Sequence, residues 1–464
     1  MKKQAIDKSL KYIDSWLQFR YERTEMPGYA VAIAFDGKII YDKAFGYANL
    51  ETKERLTSNH LFRIASHSKT FTATAIMQLV EEGILELDDQ VTKYIPWLIN
   101  HKDTRFQKIT IRQVMSHGAG IIRDGLNADY WQVMEPFPDE QTFKKAVLEA
   151  DLVLENNLKL KYSNFGYSLL GLVIEEVSGE PYNDFVLNRI IKPLHLNNTG
   201  PEYIPAINNR LVTGYTRRDV KKNRLPIAKS INTNALSPAT GFYSNAADLC
   251  TYFSAHFTGS GDLLSDESKK EMQKAYWQAQ ETHEKEDYGL GLEIYFIKNH
   301  RVFGHSGGFP GHSTNSFCDP EADLVVVVLT NCIDGTARLI SRGILSNMYY
   351  FEKNAPITKP KHDLSKFEGR FVSLWDMVDI VATGNKIVGA FPDSWFPFIR
   401  PEKLEYIDNK TLKVGKTNSF MSEGELVNFN FDNKGHAISL KYTGATMLPA
   451  DEYFKQQAKL KFVG

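Results

Sequence analysis

The feature that most constrains the fold is an Asp-Gly pair, Asp36-Gly37, which separates two β-prone runs near the N-terminus. The runs cover residues 29–35 and 38–45. A two-residue turn of this kind requires positive φ at both positions, which Asp and Gly tolerate, and it joins antiparallel strands. The sheet is therefore expected to begin as an antiparallel hairpin, which argues against a doubly wound parallel architecture.

Apolar periodicity places further sheet elements at both ends of the first 350 residues and helices between them. Helical spacing of apolar residues predicts helices over residues 4–24, 66–82, 165–177 and 337–350. Strand-like runs return at residues 289–296, 301–303, 315–318 and 324–329. We therefore expect an α/β fold in which helices flank an antiparallel sheet and a mainly helical insertion divides the sheet elements.

The sequence pattern changes after residue 354. Residues 355–362 contain two prolines and few side chains that a core could bury, which is typical of a linker. Residues 427–431 and 438–442 then alternate apolar and polar side chains across a turn at residues 433–435. We expect a domain at residues 1–354, a linker at 355–362 and a small all-β domain, either a barrel or a sandwich, at 363–464.

Composition excludes several classes of function. Lys plus Arg number 55 and Asp plus Glu number 56, so no overall basic field supports nucleic-acid binding. The longest apolar run, residues 324–329, is far shorter than the roughly 20 residues of a membrane-spanning helix. Lys2 and Lys3 are followed by charges that interrupt the apolar region of a signal peptide. We expect a cytoplasmic protein with neither a nucleic-acid nor a membrane partner.

The cysteines and histidines show no spacing that is typical of a metal site. Cys250, Cys318 and Cys332 form no C-x-x-C pair, and none of the twelve histidines stands in an H-x-x-x-H arrangement. We therefore predict no metal and no cofactor.

The first segment that could carry chemistry is Ser66-His67-Ser68-Lys69, at the start of a predicted helix. Ser66 and Lys69 are three residues apart and therefore share one helix face. A serine hydroxyl is a weak nucleophile while it keeps its proton, and the lysine amine can accept that proton. The positive end of the helix dipole disfavours a charged amine there and favours a developing oxyanion. The alternative interpretation is an ordinary Ser and Lys on a solvated helix face.

The second segment is Tyr162-Ser163-Asn164. A tyrosine can act as an acid or a base if nearby cations lower its pKa, and an asparagine can hold a lysine and bind a substrate carbonyl. Taken alone, the tripeptide is better interpreted as a loop in which Asn164 caps the following helix.

The third segment is Gly304-His305-Ser306-Gly307-Gly308. Its glycines permit a close approach by ligand, and its histidine is titratable. The segment also matches G-x-S-x-G, the nucleophile elbow of α/β-hydrolases, with Ser306 as the nucleophile. That elbow requires a helix directly after it, and residues 309–314 begin a helix poorly. An α/β-hydrolase that uses Ser306 is therefore the less favoured alternative.

Together, S-x-x-K at Ser66, Y-S-N at Tyr162 and H-S-G at His305 resemble the motif set of the penicillin-recognising serine hydrolases. The resemblance is greatest to the class C β-lactamase-like branch, which includes DD-peptidases, D-aminopeptidases and family VIII esterases. Further segments that look like this family are residues 62–65, 114–120, 166–171, 237–241 and 304–311. The resemblance covers about residues 10–350 and implies a serine β-lactamase-like fold.

The resemblance also implies roles for single residues. Ser66 is the expected acylated nucleophile, and Lys69 and Tyr162 are the expected partners in proton transfer. The residues expected to bind substrate are Asn164, His305, Gly307 and Gly308. Asn164 would orient Lys69 and the substrate amide, and the backbone N–H groups of Ser66 and Gly308 would form the oxyanion hole.

Two segments depart from the family pattern. β-Lactamases and most DD-peptidases carry Lys-Thr-Gly where this chain has His305-Ser306-Gly307. Because Lys is a permanent cation that suits a substrate carboxylate and His is largely neutral at pH 7, we expect at most weak β-lactamase activity. Residues 116–120 read S-H-G-A-G where the family often has S-H-T-S-G, and we interpret them as a structural loop without a catalytic role.

The sequence therefore predicts a serine hydrolase that acts through an acyl-enzyme on small amides or peptides, D-residues included, or on esters. A carboxylesterase of the same family and a non-catalytic scaffold on this fold are the alternatives. The C-terminal β domain resembles the lipocalin-like domains appended to some aminopeptidases of the family. Self-association through this domain is a further expectation.

Overall fold

The computed structural model describes residues 3–278, 286–355, 361–416 and 422–457. By their contacts these residues form two units, which we call the sheet unit, Thr24–Arg342, and the barrel unit, Met1–Arg23 with Gly343–Gly464. The sequence patterns group residues 1–23 and 343–354 with the first domain instead. An amphipathic stripe shows that a helix has an apolar face, but it does not show which core that face joins. Most of the predicted linker, residues 356–360, lies outside the described residues.

All four predicted helices are present with small shifts at their ends. The described α-helices are α1 (Lys3–Thr24), α2 (Ser68–Glu81), α3 (Ile111–Met115), α4 (Glu140–Glu149), α5 (Asn164–Ser178), α6 (Tyr182–Val186), α7 (Ser237–Thr240), α8 (Ala246–Ser254), α9 (Asp266–Met272), α10 (Ala337–Lys353) and α11 (Ala450–Gln457). A 3₁₀ turn, Ala65–His67, precedes α2, and Gly83 follows it with φ of 68°. Among these described helices, none has both the length and the apolar character that crossing a membrane requires.

In the described part of the sheet unit, nine strands form one antiparallel sheet. Strands of the whole unit are β1 (Gly28–Phe35), β2 (Lys38–Asn49), β3 (Glu54–Arg55), β4 (Phe62–Arg63), β5 (Gly214–Tyr215), β6 (Pro226–Ile227), β7 (Tyr243–Ser244), β8 (Trp277–Gln278), β9 (Glu286–Tyr288), β10 (Glu293–Ile297), β11 (His300–Phe309), β12 (His312–Asp319) and β13 (Leu324–Thr330). The sheet order is β3-β2-β1-β13-β12-β11-β10-β9-β8. Short pairs β4–β7 and β5–β6 lie apart from it.

The predicted hairpin is confirmed as the start of this sheet. Asp36 and Gly37 have φ values of 51° and 67° and connect β1 to β2. Strand β1 also pairs with β13, with Tyr29 opposite Thr330, so that the first and last long strands of the unit are neighbours. The expected α/β architecture, an antiparallel sheet whose ends meet around a helical insertion, is therefore confirmed.

One predicted strand is displaced. The run at residues 289–296 becomes strand only from Glu293 onward, because Gly291 has φ of 74° and turns the chain. A Cβ at Gly291 would lie 2.5 Å from the Cβ of Ala73 and 3.1 Å from the carbonyl oxygen of Lys69. Only glycine allows this loop to pass so close to α2.

The barrel unit contains eight described strands that close into a barrel. They are β14 (Gly369–Val372), β15 (Met377–Thr383), β16 (Lys386–Ala390), β17 (Glu402–Tyr406), β18 (Thr411–Val414), β19 (Leu426–Phe431), β20 (Ala437–Tyr442) and β21 (Ala445–Pro449). Buried apolar side chains from these strands and from the 3₁₀ turn Ser365–Phe367 form one cluster, with Phe367, Phe371 and Phe429 among its members. The C-terminal domain is thus a barrel with a packed interior, as small barrels of this strand number usually are.

Helix α1 belongs to the barrel unit through specific side-chain contacts. The Arg20 guanidinium lies 3.6 Å from the ring centroid of Trp395, and the rings of Tyr12 and Phe398 are 4.8 Å apart. Lys8 forms an ion pair with Glu368 at 3.3 Å. These contacts explain why the N-terminal helix groups with residues that are more than 340 positions away.

Candidate active site

Ser66 is the one side chain between residues 61 and 79 that is not buried. The residue before it, Ala65, is fully buried and has φ of 51°, a left-handed conformation that costs a non-glycine residue of the order of 1–3 kcal/mol. The turn is held by Ser68, whose hydroxyl donates to the Ala65 carbonyl at 2.6 Å, and by the His67 amide, which donates to the Ile64 carbonyl at 3.2 Å. A strained and tightly bonded turn therefore presents a single serine hydroxyl at the surface of the core.

Lys69 is fully buried one helical turn from Ser66. Its Nζ lies 3.3 Å from Ser66 Oγ, 2.7 Å from Asn164 Oδ1 and 2.8 Å from the carbonyl oxygen of Ala239. Burial lowers the pKa of Lys69 to about 7, although the charge of Asp124 acts in the opposite direction. In its neutral form the amine has two N–H donors for Asn164 and Ala239 and one lone pair for the Ser66 hydroxyl. The amine can therefore act as the base for this serine at neutral pH.

Tyr162 hydrogen-bonds with the Ser66 hydroxyl. Burial raises the pKa of Tyr162, and the opposing influences, its hydrogen bond with Ser66 and the charge of Arg123, do not overcome that effect. Lys69 Nζ lies 4.8 Å from the centroid of the ring. The condition under which nearby cations lower this pKa is not met, because desolvation dominates. The phenol stays protonated, so it can donate or relay a proton but is not a resident tyrosinate base.

Asn164 does not cap helix α5. The N-cap is Ser163, whose Oγ accepts from the Gly166 amide at 2.9 Å. The capping interpretation of Asn164 is therefore wrong, and its amide group is available to the site instead. Asn164 accepts from Lys69 through Oδ1 and donates through Nδ2 to Asp124 Oδ1 at 2.6 Å.

Asp124 is a site residue that the sequence analysis missed. Its carboxylate accepts from Asn164, from Trp131 Nε1 at 2.9 Å, and from Arg123, whose Nε lies 3.1 Å from Oδ2. An ionised carboxylate can only accept, so it fixes which way the Asn164 amide points and thereby turns Oδ1 towards Lys69. The sequence carries no local signal for this role, because the burial of most of segment 114–124 is visible only in the structure.

We expect the pH dependence of activity to report this arrangement. Because Lys69 must be neutral to accept a proton, kcat/KM should fall about tenfold per pH unit below about pH 7, the pKa of that amine. Since the negative charge of Asp124 raises the pKa of Lys69, Asp124→Asn should move this acid limb to lower pH. The control is Asp129→Asn, an exposed aspartate of the same loop, which should leave the limb in place. An acid limb that stays unchanged or moves upward in Asp124→Asn would contradict the assignment.

His117, in the segment interpreted as a structural loop, packs behind Tyr162. The two ring centroids are 4.3 Å apart, and His117 Nδ1 accepts from the Ser163 amide at 3.2 Å. Burial holds the pKa of His117 well below its usual value, so the ring is neutral at pH 7. The loop therefore packs against the Tyr162 ring, a contact that the sequence analysis did not assign.

His305 lies in β11 and is 1% exposed. Its Nδ1 lies 2.6 Å from the Ser306 carbonyl oxygen, to which it donates, and its Nε2 accepts from the Tyr288 hydroxyl at 3.2 Å. Burial lowers the pKa of His305, although the nearby carboxylate of Glu293 acts in the opposite direction. His305 is thus a neutral ring beside Tyr162, with ring centroids 6.5 Å apart, and both of its nitrogens are engaged within the protein.

Ser306 is not at a nucleophile elbow. It lies in the middle of β11, and the next element, β12, begins at His312 without an intervening helix. Its Oγ donates to Glu293 Oε1 and its backbone N–H donates to Glu293 Oε2, both at 2.8 Å. The α/β-hydrolase interpretation is therefore wrong. Glu293 is a second site residue that the sequence analysis missed.

Gly307 and Gly308 bring β11 against the nucleophile turn. A Cβ at Gly307 would lie 2.3 Å from the Ile64 carbonyl oxygen, so only glycine permits this approach. Gly308 is exposed, and no described atom lies within 4 Å of where its Cβ would be. The Ser306 N–H points away from β12 and donates to Glu293. Residues two apart in a strand point the same way, so the Gly308 N–H also points away from β12. An oxyanion hole formed by Ser66 and Gly308 stays a prediction.

Comparisons with known proteins agree with this architecture. The β-lactamase family model matches residues 13–343. Penicillin-binding protein 4* of Bacillus subtilis (strain 168) is 30% identical over 327 residues, which are 66% of this chain and 68% of that protein. Protein flp of Staphylococcus aureus (strain COL) is 26% identical over 70% of this chain, and the chain spans 63% of the length of that relative.

Two solved structures share the fold. The octameric penicillin-binding protein homologue from Pyrococcus abyssi has a TM-score of 0.65 at 23% identity and covers 95% of this chain and 99% of its own. The D-amino acid amidase from Ochrobactrum anthropi SV3 has a TM-score of 0.64 at 22% identity, over 74% of this chain and 99% of its own. Given the family match over residues 13–343, the chain belongs to the β-lactamase family.

Proposed function

We propose that this protein hydrolyses small amides, short peptides or esters through an acyl-enzyme formed on Ser66. The observation that carries the proposal is the contact between Ser66 Oγ and the buried amine of Lys69 at 3.3 Å, together with a pKa for that amine of about 7. A neutral amine in hydrogen-bond range is the kind of base that a serine nucleophile requires. A scaffold would gain nothing from burying a lysine beside the one side chain between residues 61 and 79 that is not buried.

In the first step, Lys69 takes the Ser66 proton as Oγ forms a bond to the substrate carbonyl carbon. The negative charge on the carbonyl oxygen would be held by the N–H groups of Ser66 and Gly308, which this proposal assigns to the oxyanion hole. The intermediate collapses when the bond to the leaving group breaks, and the leaving group receives a proton through Tyr162. Tyr162 suits this step because its phenol is protonated and hydrogen-bonds with Ser66.

In the second step, a water molecule attacks the acyl-enzyme. Its proton passes to the Lys69–Tyr162 pair, the acyl carbon to Oγ bond breaks, and Ser66 regains its proton. Asn164 keeps Lys69 in place throughout, since its Oδ1 accepts from Nζ at 2.7 Å. The same pair therefore acts as a base and then as an acid in each half of the cycle.

The proposed reaction is tested by stopped-flow kinetics with a p-nitrophenyl ester. Because the leaving group departs before water attacks, an acyl-enzyme that hydrolyses slowly produces a burst of p-nitrophenol before the steady state. We expect a burst close to one equivalent per chain in the wild-type protein. The matched amide, a p-nitroanilide with the same acyl group, shows whether amides acylate the same serine. No hydrolysis of either substrate above background would contradict the proposal.

Self-association through the barrel unit stays a prediction. The Pyrococcus abyssi homologue is described as octameric, and that description belongs to that protein. Light scattering of the full chain measures its mass directly.

A further inference from the structure

Position 305, on the β11 side of the site, supplies no cation to a substrate. His305 is neutral there, and both of its nitrogens are engaged within the protein. Glu293 adds a negative charge, with Oε1 3.5 Å from His305 Nδ1. A substrate carboxylate near β11 would therefore meet a carboxylate and not a lysine, and like charges at such distances repel.

The opposite side of the site carries Arg123. Its guanidinium carbon lies 5.9 Å from the ring centroid of Tyr162, and its side chain is 64% exposed. Its charge lowers the pKa of both Lys69 and Tyr162, so it acts within electrostatic range of the reacting groups. Arg123 is thus an exposed cation beside the proposed proton donor.

Arg123 is also held in position, unlike most exposed arginines. Its backbone carbonyl accepts from the amides of Asn164 at 2.9 Å and Phe165 at 3.1 Å, at the start of α5. Its Nε lies 3.1 Å from Asp124 Oδ2, and Asp124 is itself fixed by Asn164 and Trp131. Within the described ranges, Asp124 is the one ionic partner of this guanidinium. Both terminal nitrogens therefore remain for a ligand, in the fork geometry that matches a carboxylate.

We propose that Arg123 is a specificity-determining residue that binds a carboxylate on the leaving-group part of the substrate. This inference rests on the proposed function, because Tyr162 protonates the leaving group and Arg123 lies against that tyrosine. The cation that binds a substrate carboxylate thus comes from the loop before α5, and not from position 305 of β11. The preferred substrates are amides or esters whose leaving group is an amino acid or a hydroxy acid with a free carboxylate.

The test compares two esters that share one acyl group and differ in the charge of the leaving group. One releases 3-hydroxybenzoate, and the other releases 3-hydroxybenzamide, which has a similar shape without the charge. The ratio of their kcat/KM values cancels any effect of Arg123 on the pKa of Lys69, which both substrates share. We expect the wild-type ratio to favour the carboxylate about tenfold, as one charge-assisted bidentate contact would give. Arg123→Gln should remove that preference, and Arg123→Lys should retain part of it.

The control is Lys161→Gln, which removes a cation one residue before Tyr162. If Lys161→Gln lowers the ratio as much as Arg123→Gln, the general positive field explains the preference and the inference is overturned.

The wild-type protein supplies a measurement without any variant, since added salt should lower the ratio through screening of an exposed ion pair. A wild-type ratio near one, or a ratio unchanged in Arg123→Gln, would also overturn the inference. Ser66-dependent hydrolysis of both esters with an unchanged ratio would leave the proposed function intact, whereas hydrolysis of neither would overturn both.

Discussion

Ser66→Ala is expected to reduce ester hydrolysis at least about 10³-fold, to near the background rate, because it removes the only proposed nucleophile. The fold should survive, since the Ser66 side chain is small and is the one not buried between residues 61 and 79. Steady-state kinetics give the loss, and circular dichroism with a thermal melt shows that the variant is folded.

The matched control is Ser306→Ala. Ser306 lies in the middle of β11 and donates its hydroxyl to Glu293 at 2.8 Å. Loss of this hydrogen bond should weaken the contact between β11 and Glu293, but a substantial rate of ester hydrolysis should remain. If Ser306→Ala is the inactive variant and Ser66→Ala is active, the assignment of the nucleophile is wrong.

Lys69→Ala and Tyr162→Phe should each lower kcat about 10²- to 10⁴-fold, as removal of a positioned acid or base typically does. The double variant should be far less impaired than the product of the two single losses, because the residues transfer the same proton as one unit. The measurement is kcat for the two single variants and the double variant with one ester. Fully multiplicative losses would show that the two residues act independently.

Lys69→Ala and Tyr162→Phe are expected to differ in their effect on the stability of the fold. Lys69→Ala leaves the buried acceptors Asn164 Oδ1 and the Ala239 carbonyl without the amine, at a cost of about 1–3 kcal/mol for each unsatisfied group. Tyr162→Phe preserves the shape of the ring and should change Tm little. A large activity loss in Tyr162→Phe at an unchanged Tm therefore identifies a chemical role and not a folding defect.

The sequence predicts those parts of the fold that local patterns encode. Asp36-Gly37 determines a turn through its own backbone preferences, and the alternation at residues 427–431 follows from one strand face being buried. The alternation at residues 438–442 is only partly of this kind, because Leu440 is buried but Ile438 is 51% exposed. The pairing of Ser66 with Lys69 could also be predicted, because a spacing of three residues brings two side chains together where the 3₁₀ turn Ala65–His67 leads into α2.

The missed residues make contacts between segments that are far apart in the chain. Asp124 matters because the fold brings Asn164 within 2.6 Å of it, and Glu293 because β10 lies beside β11. Neither carboxylate has a neighbour in sequence that would indicate its partner. Burial, which also depends on contacts between distant segments, raises the Tyr162 pKa, and the sequence alone does not indicate this direction.

The most direct test of the central claim is mass spectrometry of the intact protein after incubation with a fluorophosphonate probe, followed by peptide mapping. The structure predicts one covalent adduct per chain on Ser66, because this hydroxyl lies 3.3 Å from a lysine amine whose pKa is about 7. Labelling should be absent in Ser66→Ala and retained in Ser306→Ala. An adduct on Ser306, or no adduct on any serine of the wild-type protein, would contradict the account.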